Sequence, residues 1–240
     1  MKILVIGDIM LDMFVNLENV DELYNGKMSE GNSLFSNYIP EKVHVDLGGA
    51  GLVARFCKSL GVDVSLGGVV GDDDGGYTIE QICKEKFGES DLIVSSEKVM
   101  TTTKTRFVCE GHTILRINEE EMSGTLNDEI IGDLFVRVNS NGLDFDGVII
   151  VDYGKGVWND SMRISQFCDS IRRNEIPCLI STKYPENAMG CESDITVCNL
   201  REMDSFASRF VTIEEILRDR GVLAVANKLM CDNFVVTCGK

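Results

Sequence analysis

Two carboxylates follow the first apolar run. Ile3-Leu4-Val5-Ile6-Gly7-Asp8 is continued by Ile9-Met10-Leu11-Asp12. An ionised carboxylate only accepts hydrogen bonds, which suits Asp12 to receive two sugar hydroxyls. An aspartate capping a local turn is the plainer alternative. Leu47-Gly48-Gly49-Ala50-Gly51 opens a helix-like stretch. Paired glycines at a helix start let backbone N–H groups approach an oxygen-rich ligand. Lys104 and Arg106 stand two apart in a strand-like run, so they project from one face. Two cations on one face repel unless an anion lies between them. That face is expected to look into a cleft and hold a phosphate, with Arg106 able to bind it in bidentate fashion. A solvated outer face balanced by carboxylates such as Glu110 is the alternative. Asn199 and Glu202 have the spacing of a capping box at a helix start. The acidic runs 72–74 and 119–121 read as solvated turns or helix starts rather than metal sites.

The elements that must position these residues alternate between strand and helix, the pattern of a parallel sheet covered by helices. Strands are expected at Lys2–Gly7, Val62–Val70, Gly147–Val151, Cys178–Ser181, Asp194–Cys198 and Asn233–Thr237. Helices are expected at Gly49–Leu60, Gly75–Phe87, Leu126–Val138 and Met162–Arg173, with 213–229 mostly helical. In Gly49–Leu60 the apolar side is read as Leu52, Val53, Phe56 and Leu60, with Gly61 closing the helix. Two regions break the alternation. Residues 13–46 contain β-like pieces near Met13–Leu17 and Tyr38–Val45, and 101–118 reads as a β-hairpin around Gly111. Strands inserted between βα units suggest a small sheet, a lid over a substrate cleft at the C-terminal ends of the main strands.

Composition narrows the classes. The 240 residues suit one large domain, and 44% hydrophobic residues fit a packed core. No run approaches the roughly 18 apolar residues of a membrane span, and the opening run is too short for a signal peptide. A cytoplasmic chain is expected. The formal charge of -16 argues against nucleic-acid or anionic-membrane partners. Any bound phosphate must therefore lie where the few basic residues gather. Nine cysteines without a Cys-x-x-Cys, beside two histidines, read as buried free thiols. No P-loop, nucleophile elbow or His-Glu-x-x-His is present.

In their order along the chain, these motifs resemble the ribokinase-like (PfkB) carbohydrate kinases. The residues that carry the likeness are Gly7-Asp8-Ile9-Met10-Leu11-Asp12, Gly48-Gly49-Ala50-Gly51, Leu60-Gly61-Val62 and Gly68-Val69-Val70-Gly71-Asp72-Asp73. Thr101-Thr102-Thr103-Lys104-Thr105-Arg106, Leu115-Arg116-Ile117 and Asp152-Tyr153-Gly154-Lys155-Gly156 narrow it to the heptose-phosphate kinases. The resemblance runs from Lys2 to Lys240. It implies a three-layer α/β sandwich with a mostly parallel central sheet and a small β lid, one domain over 1–240. It also implies ATP and Mg2+ as cofactors, and D-glycero-β-D-manno-heptose 7-phosphate phosphorylated at its anomeric oxygen. Asp12, Gly48 and Gly49 are then expected to face the sugar. Lys104, Arg106 and Lys155 are expected to help hold the sugar phosphate or the ATP phosphates, with Asp152 on the substrate, whereas Arg116 fits a surface role equally well. Lys183, Asn199, Leu200, Arg201, Glu202, Thr237 and Gly239 are expected along ATP, with Asn199 and Glu202 reaching Mg2+ through water. A homodimer through the lid is a further implication.

The sequence departs from that pattern at several points. Leu52 stands where the family carries an Asn that touches sugar hydroxyls, and Ser181-Thr182-Lys183 replaces Asp-Pro-Lys. Residues 13–46 make a longer lid segment than the family's. The family's Gly-Ala-Gly-Asp element, which supplies an anion hole and the general base, is expected beyond Lys240. Two functional classes follow: a sugar-phosphate kinase, or a non-catalytic binding module that kept the sugar side. A purely structural dimerisation protein is a third.

Overall fold

Lys2–Gly7 is buried from Leu4 onward because it lies inside a sheet covered on both faces. A strand so placed reads as an unbroken apolar run. In the computed structural model, which describes residues 1–19, 38–88, 92–120, 126–140, 143–158, 161–212, 214–215 and 222–239, this run is β1. Along the chain follow β2 (Ile9–Asn19), β3 (Tyr38–Gly49), α1 (Ala50–Ser59), β4 (Asp63–Gly71), α2 (Asp74–Phe87) and β5 (Ile93–Ser96). Then come β6 (Thr103–Cys109), β7 (His112–Glu119), α3 (Asp128–Ser140), β8 (Gly147–Asp152), α4 (Ser161–Arg173) and β9 (Cys178–Thr182). A 3-10 turn at Pro185–Ala188, β10 (Ile195–Asn199), α5 (Leu200–Phe210), α6 (Val222–Leu229) and β11 (Asn233–Thr237) complete the described elements.

Seven strands form the central sheet in the order β11-β10-β9-β8-β1-β4-β5, and every pair in it is parallel. Alternation along β1 sends Leu4 and Ile6 to the side of α3 and α4, where Leu134, Ile164 and Trp158 complete one core. Val5 points the other way, into a second core with Ala50, Ala54 and Ile79 from α1 and α2. Two helical layers around one sheet give the expected three-layer α/β sandwich. A smaller core under β10 and β11 is built on Phe206, Val225 and Leu229.

The second sheet has four strands in the order β3-β2-β6-β7. β2 pairs antiparallel with β3 and parallel with β6, which pairs antiparallel with β7. The hairpin turn is Glu110-Gly111, with φ of 50° and 79°. Positive φ at both turn residues matches the twist of the flanking strands. This sheet starts at Ile9 and returns to Gly49, beyond the expected bounds 13 and 46. The part of that segment at 20–37 lies outside the described residues, as does part of 213–229.

The helix after the glycine pair buries a different face from the one the sequence suggests. Phe56 and Leu60 are 57% and 81% exposed, while Ala50, Gly51 and Ala54 are buried and Val53 and Cys57 pack beside them. The helix lies close to the sheet, and small residues permit that approach where Phe and Leu would hold it away. Its end follows the sequence reading. Gly61 has φ of 82° and donates to Lys58 O, and Val62 donates to Cys57 O, the paired bonds of a Schellman cap. The nine cysteines are free thiols, six of them buried.

Candidate functional site

The site begins at Asp8, the single residue between β1 and β2. Its carboxylate is buried and accepts three backbone N–H bonds: from Tyr153 (2.7 Å) and Lys155 (3.0 Å) on Oδ2, and from Val157 (3.3 Å) on Oδ1. Burial raises its pKa to about 6, helped by the nearby Asp152 and opposed by those bonds. Asp8 therefore moulds the loop that follows β8. Sequence reasoning quoted Gly7-Asp8 but gave the role to Asp12.

Asp152, expected on the substrate, has a wholly buried side chain. Oδ1 accepts from Gly154 N–H (2.9 Å), and Oδ2 accepts from Thr182 Oγ1 (2.8 Å) and Asn187 Nδ2 (3.0 Å). Burial again pushes its pKa up. It anchors the same loop from the opposite side to Asp8, and its oxygens are committed to protein donors.

Asp12 lies in β2, in register with Lys104 of β6, not in a loop past a strand end. Gly48 leaves it room: a Cβ there would stand 2.6 Å from Asp12 Oδ2. Gly49 has φ of 58°, and a Cβ there would overlap the backbone oxygen of Asp8. That oxygen accepts the Ala50 N–H at 2.8 Å. The glycine pair thus joins the lid root tightly to the main sheet. Arg106 Nη1 donates to Asp12 Oδ1 at 2.8 Å, and its guanidinium lies 5.1 Å from the Phe14 ring. Its carboxylate partner is Asp12, not Glu110, on the face shared with Lys104.

The cations gather around Tyr153. Lys183 Nζ lies 4.4 Å from the centre of its ring and Lys104 Nζ 5.7 Å. Lys104 Nζ also donates to Met10 Sδ at 2.8 Å. Burial lowers the pKa of Lys104, with Lys183, Lys155 and Arg116 adding to the fall and Asp12 opposing it. Cations from β7 and the loops after β8 and β9 thus all act on Lys104 of β6 in a chain of net charge -16. Lys183, expected along ATP, lies over the same Tyr153 ring as Lys104. The solvated reading of 119–121 fails at Glu120, which pairs with Lys155 Nζ at 2.6 Å and is 28% exposed. Glu121 lies outside the described residues. The alternation of charges gave no signal for either placement, because the contacts join segments far apart in the chain.

The β10–α5 junction carries the capping box that the spacing suggested. Asn199 Oδ1 accepts from Glu202 N–H at 3.0 Å, and Glu202 Oε2 accepts from Asn199 N–H at 2.7 Å. Leu200 and Arg201 are exposed in the first turn of α5. Thr237 stands in register with Asn199 on the neighbouring β11, and Gly239 follows with φ of 63°. Tyr153 links the halves. Burial raises its pKa, and Glu202 and Asp12 both add to the rise. Among the described residues no three metal-ligating side chains cluster. The capping box leaves Glu202 Oε1, an acceptor that fits Mg2+ only through its water shell, and Asn199 Nδ2, a donor that suits a phosphate oxygen.

No family model matches the chain. It is 31% identical to the bifunctional protein HldE of Campylobacter curvus over 182 residues, which are 76% of this chain and 36% of that protein. The bifunctional protein HldE of Caulobacter vibrioides is 33% identical over 225 residues, 93% of this chain and 44% of that one. The chain spans less than half the length of these curated relatives. Among solved structures, a carbohydrate kinase from Agrobacterium tumefaciens superposes with a TM-score of 0.66 at 19% identity, over 99% of this chain and 70% of that one. Phosphofructokinase-2 from Escherichia coli does so with a TM-score of 0.66 at 15% identity, over 100% and 72%. At such identities the structures speak for the fold alone.

Proposed function

We propose that this chain, whose fold is ribokinase-like and whose sequence is similar to bifunctional HldE proteins, is an ATP-dependent kinase of a phosphorylated sugar. The observation that carries the reading is the pair Lys104 and Lys183 over Tyr153, with the charges of Lys155 and Arg116 also acting on Lys104 and with Asp12 at the lid root. A sugar phosphate needs both kinds of group. Cations hold its phosphate, and an acceptor-only carboxylate orients its hydroxyls. Phosphoryl transfer depends mostly on positioning and charge stabilisation, which such a set supplies. Bound Mg2+ would neutralise charge on the ATP phosphates, held through water by Asn199 and Glu202. Lys183 and the exposed segments at Leu200–Arg201 and Thr237–Gly239 would line the nucleotide. The resemblance of the motifs names heptose 7-phosphate as the sugar and its anomeric hydroxyl as the acceptor.

The test is ADP formation by the encoded protein in full, with heptose 7-phosphate compared against other sugar phosphates and unphosphorylated sugars. Turnover that requires a phosphate on the sugar supports the reading, and no turnover with any sugar sinks it. The second reading, a binding module without phosphoryl transfer, draws support from the capping box, which already engages one oxygen of Glu202 and that of Asn199. Calorimetry separates the two, since sugar-phosphate binding without MgATP binding favours the module.

A homodimer through the lid belongs to the same reading. Val43, Leu115 and Ile117 are exposed on the lid face opposite Asp12 and Lys104. An apolar face of this kind fits a second copy, and sedimentation equilibrium of a Leu115→Glu variant tests it by loss of the dimer.

A further inference from the structure

Glu120 follows the last residue of β7, and its Oε2 lies 2.6 Å from Lys155 Nζ. The two side chains are only 28% and 24% exposed. The hydrogen bond from Lys155 is the main cause that holds the Glu120 carboxyl below the usual range. Burial opposes it, and the charges of Lys155, Lys104 and Arg116 add to the fall. The Glu120 carboxylate therefore sits where it feels cations of β6, β7 and the loop after β8, Asp12 being the other carboxylate that acts on Lys104. Without it those cations would face one another, as the lowered pKa of Lys104 already records. None of the other ion pairs described in this region touches Lys155.

We propose that Glu120 is a resident anion that occupies the phosphate position on Lys155, and that it makes the site select dianionic phosphate monoesters over monoanions. This rests on the reading above that the cation cluster holds the substrate phosphate. An incoming anion must displace a carboxylate that is tethered in place and never diluted. A monoanion exchanges one charge for one and gains little. A phosphate monoester brings about two charges and three acceptor oxygens, so it gains where the monoanion does not. Glu120 would also keep the cations together when no ligand is bound.

The experiment uses calorimetric titration with methyl phosphate and dimethyl phosphate at about pH 8, where the first is largely dianionic and the second carries one charge. The wild-type protein is expected to bind methyl phosphate and to reject dimethyl phosphate. Glu120→Gln keeps the size and an acceptor but removes the charge. It is expected to bind methyl phosphate roughly three- to tenfold more tightly, the scale of a partly exposed ion pair, and to gain affinity for dimethyl phosphate. Unchanged or weaker methyl phosphate binding in both Glu120→Gln and Glu120→Ala, with unaltered thermal melting, overturns the proposal. Failure of wild type and both variants to bind either anion overturns the phosphate reading of the cluster itself. Lys104→Ala separates the cases, since it should weaken methyl phosphate in every background if the cluster is the site.

Discussion

The lid root and the β10–β11 edge both carry the charged and glycine residues expected at a ligand, but they are built differently. At the root, Asp8 and Asp152 are buried and bind the same loop from two sides, and the glycines stand against backbone and carboxylate. At the edge, Asn199 and Glu202 satisfy each other on an exposed helix start, and a Cβ on Gly239 would meet nothing within 4 Å. Residues at the root are held by contacts far apart in sequence. Those at the edge are held by their immediate neighbours. A substitution at the root should therefore damage the whole fold, whereas one at the edge should act locally.

Paired glycine substitutions test this with the largest expected effect. Gly49→Ala forces a positive φ on a residue with a Cβ and drives that atom into the Asp8 carbonyl. Strain and overpacking together should cost about 3–5 kcal/mol. Gly239→Ala meets only the left-handed backbone penalty, about 1 kcal/mol. Urea unfolding midpoints measure both. Similar losses at the two positions would break the contrast.

Asp8 provides a sharper test of the root alone. Its folded pKa of about 6 lies above the ordinary 3.8, so the native state binds this proton more readily than the unfolded chain. Its contribution to stability is thus greatest below about pH 4 and is lost as pH rises through about 6. The shift corresponds to about 3 kcal/mol. Asp8→Asn keeps an acceptor and cannot ionise. The difference in unfolding free energy between wild type and Asp8→Asn should move by about 3 kcal/mol against wild type between about pH 4 and pH 7. A difference that stays constant with pH would show that the Asp8 carboxylate is not buried as described.

The same contrast marks what the sequence could disclose. Lys2–Gly7 was legible to the residue, because a central parallel strand reads as an unbroken apolar run, and Asn233–Thr237 was equally legible although it is a half-exposed edge strand. The Glu110-Gly111 hairpin and the capping box were legible too, since their signals lie within a few residues. The buried side of α1 was not. A helix seated through Ala50 and Ala54 leaves its larger residues outward, and apolar periodicity then points to the wrong face. Asp152 read as a ligand group because its donors, Thr182 and Asn187, come from a strand and a turn formed much later in the chain. The pairing of Glu120 with Lys155 was hidden for the same reason. Charge alone does not say which distant loop a side chain will meet.

The smallest expected effect lies at the edge, where two roles of Asn199 can be separated. Its Oδ1 caps α5 by accepting the Glu202 N–H, which leaves its Nδ2 donor outside the cap. Asn199→Ala should cost about 1 kcal/mol of stability. Asn199→Asp keeps a good capping oxygen and places a negative charge at a helix N-terminus, so stability should change by only a few tenths of a kcal/mol. The Asp variant loses the Nδ2 donor, however, and sets a second carboxylate beside Glu202. If Asn199 reaches the ATP phosphates, MgATP binding measured by calorimetry should fall in Asn199→Asp while its unfolding curve stays near that of wild type. If Asn199 is only a cap, Asn199→Asp should bind MgATP as wild type does, and Asn199→Ala should weaken it slightly through fraying of the first turn. The first outcome would give the edge a ligand contact of its own. The second would leave Glu202 Oε1 as the group at this junction able to reach Mg2+ through water.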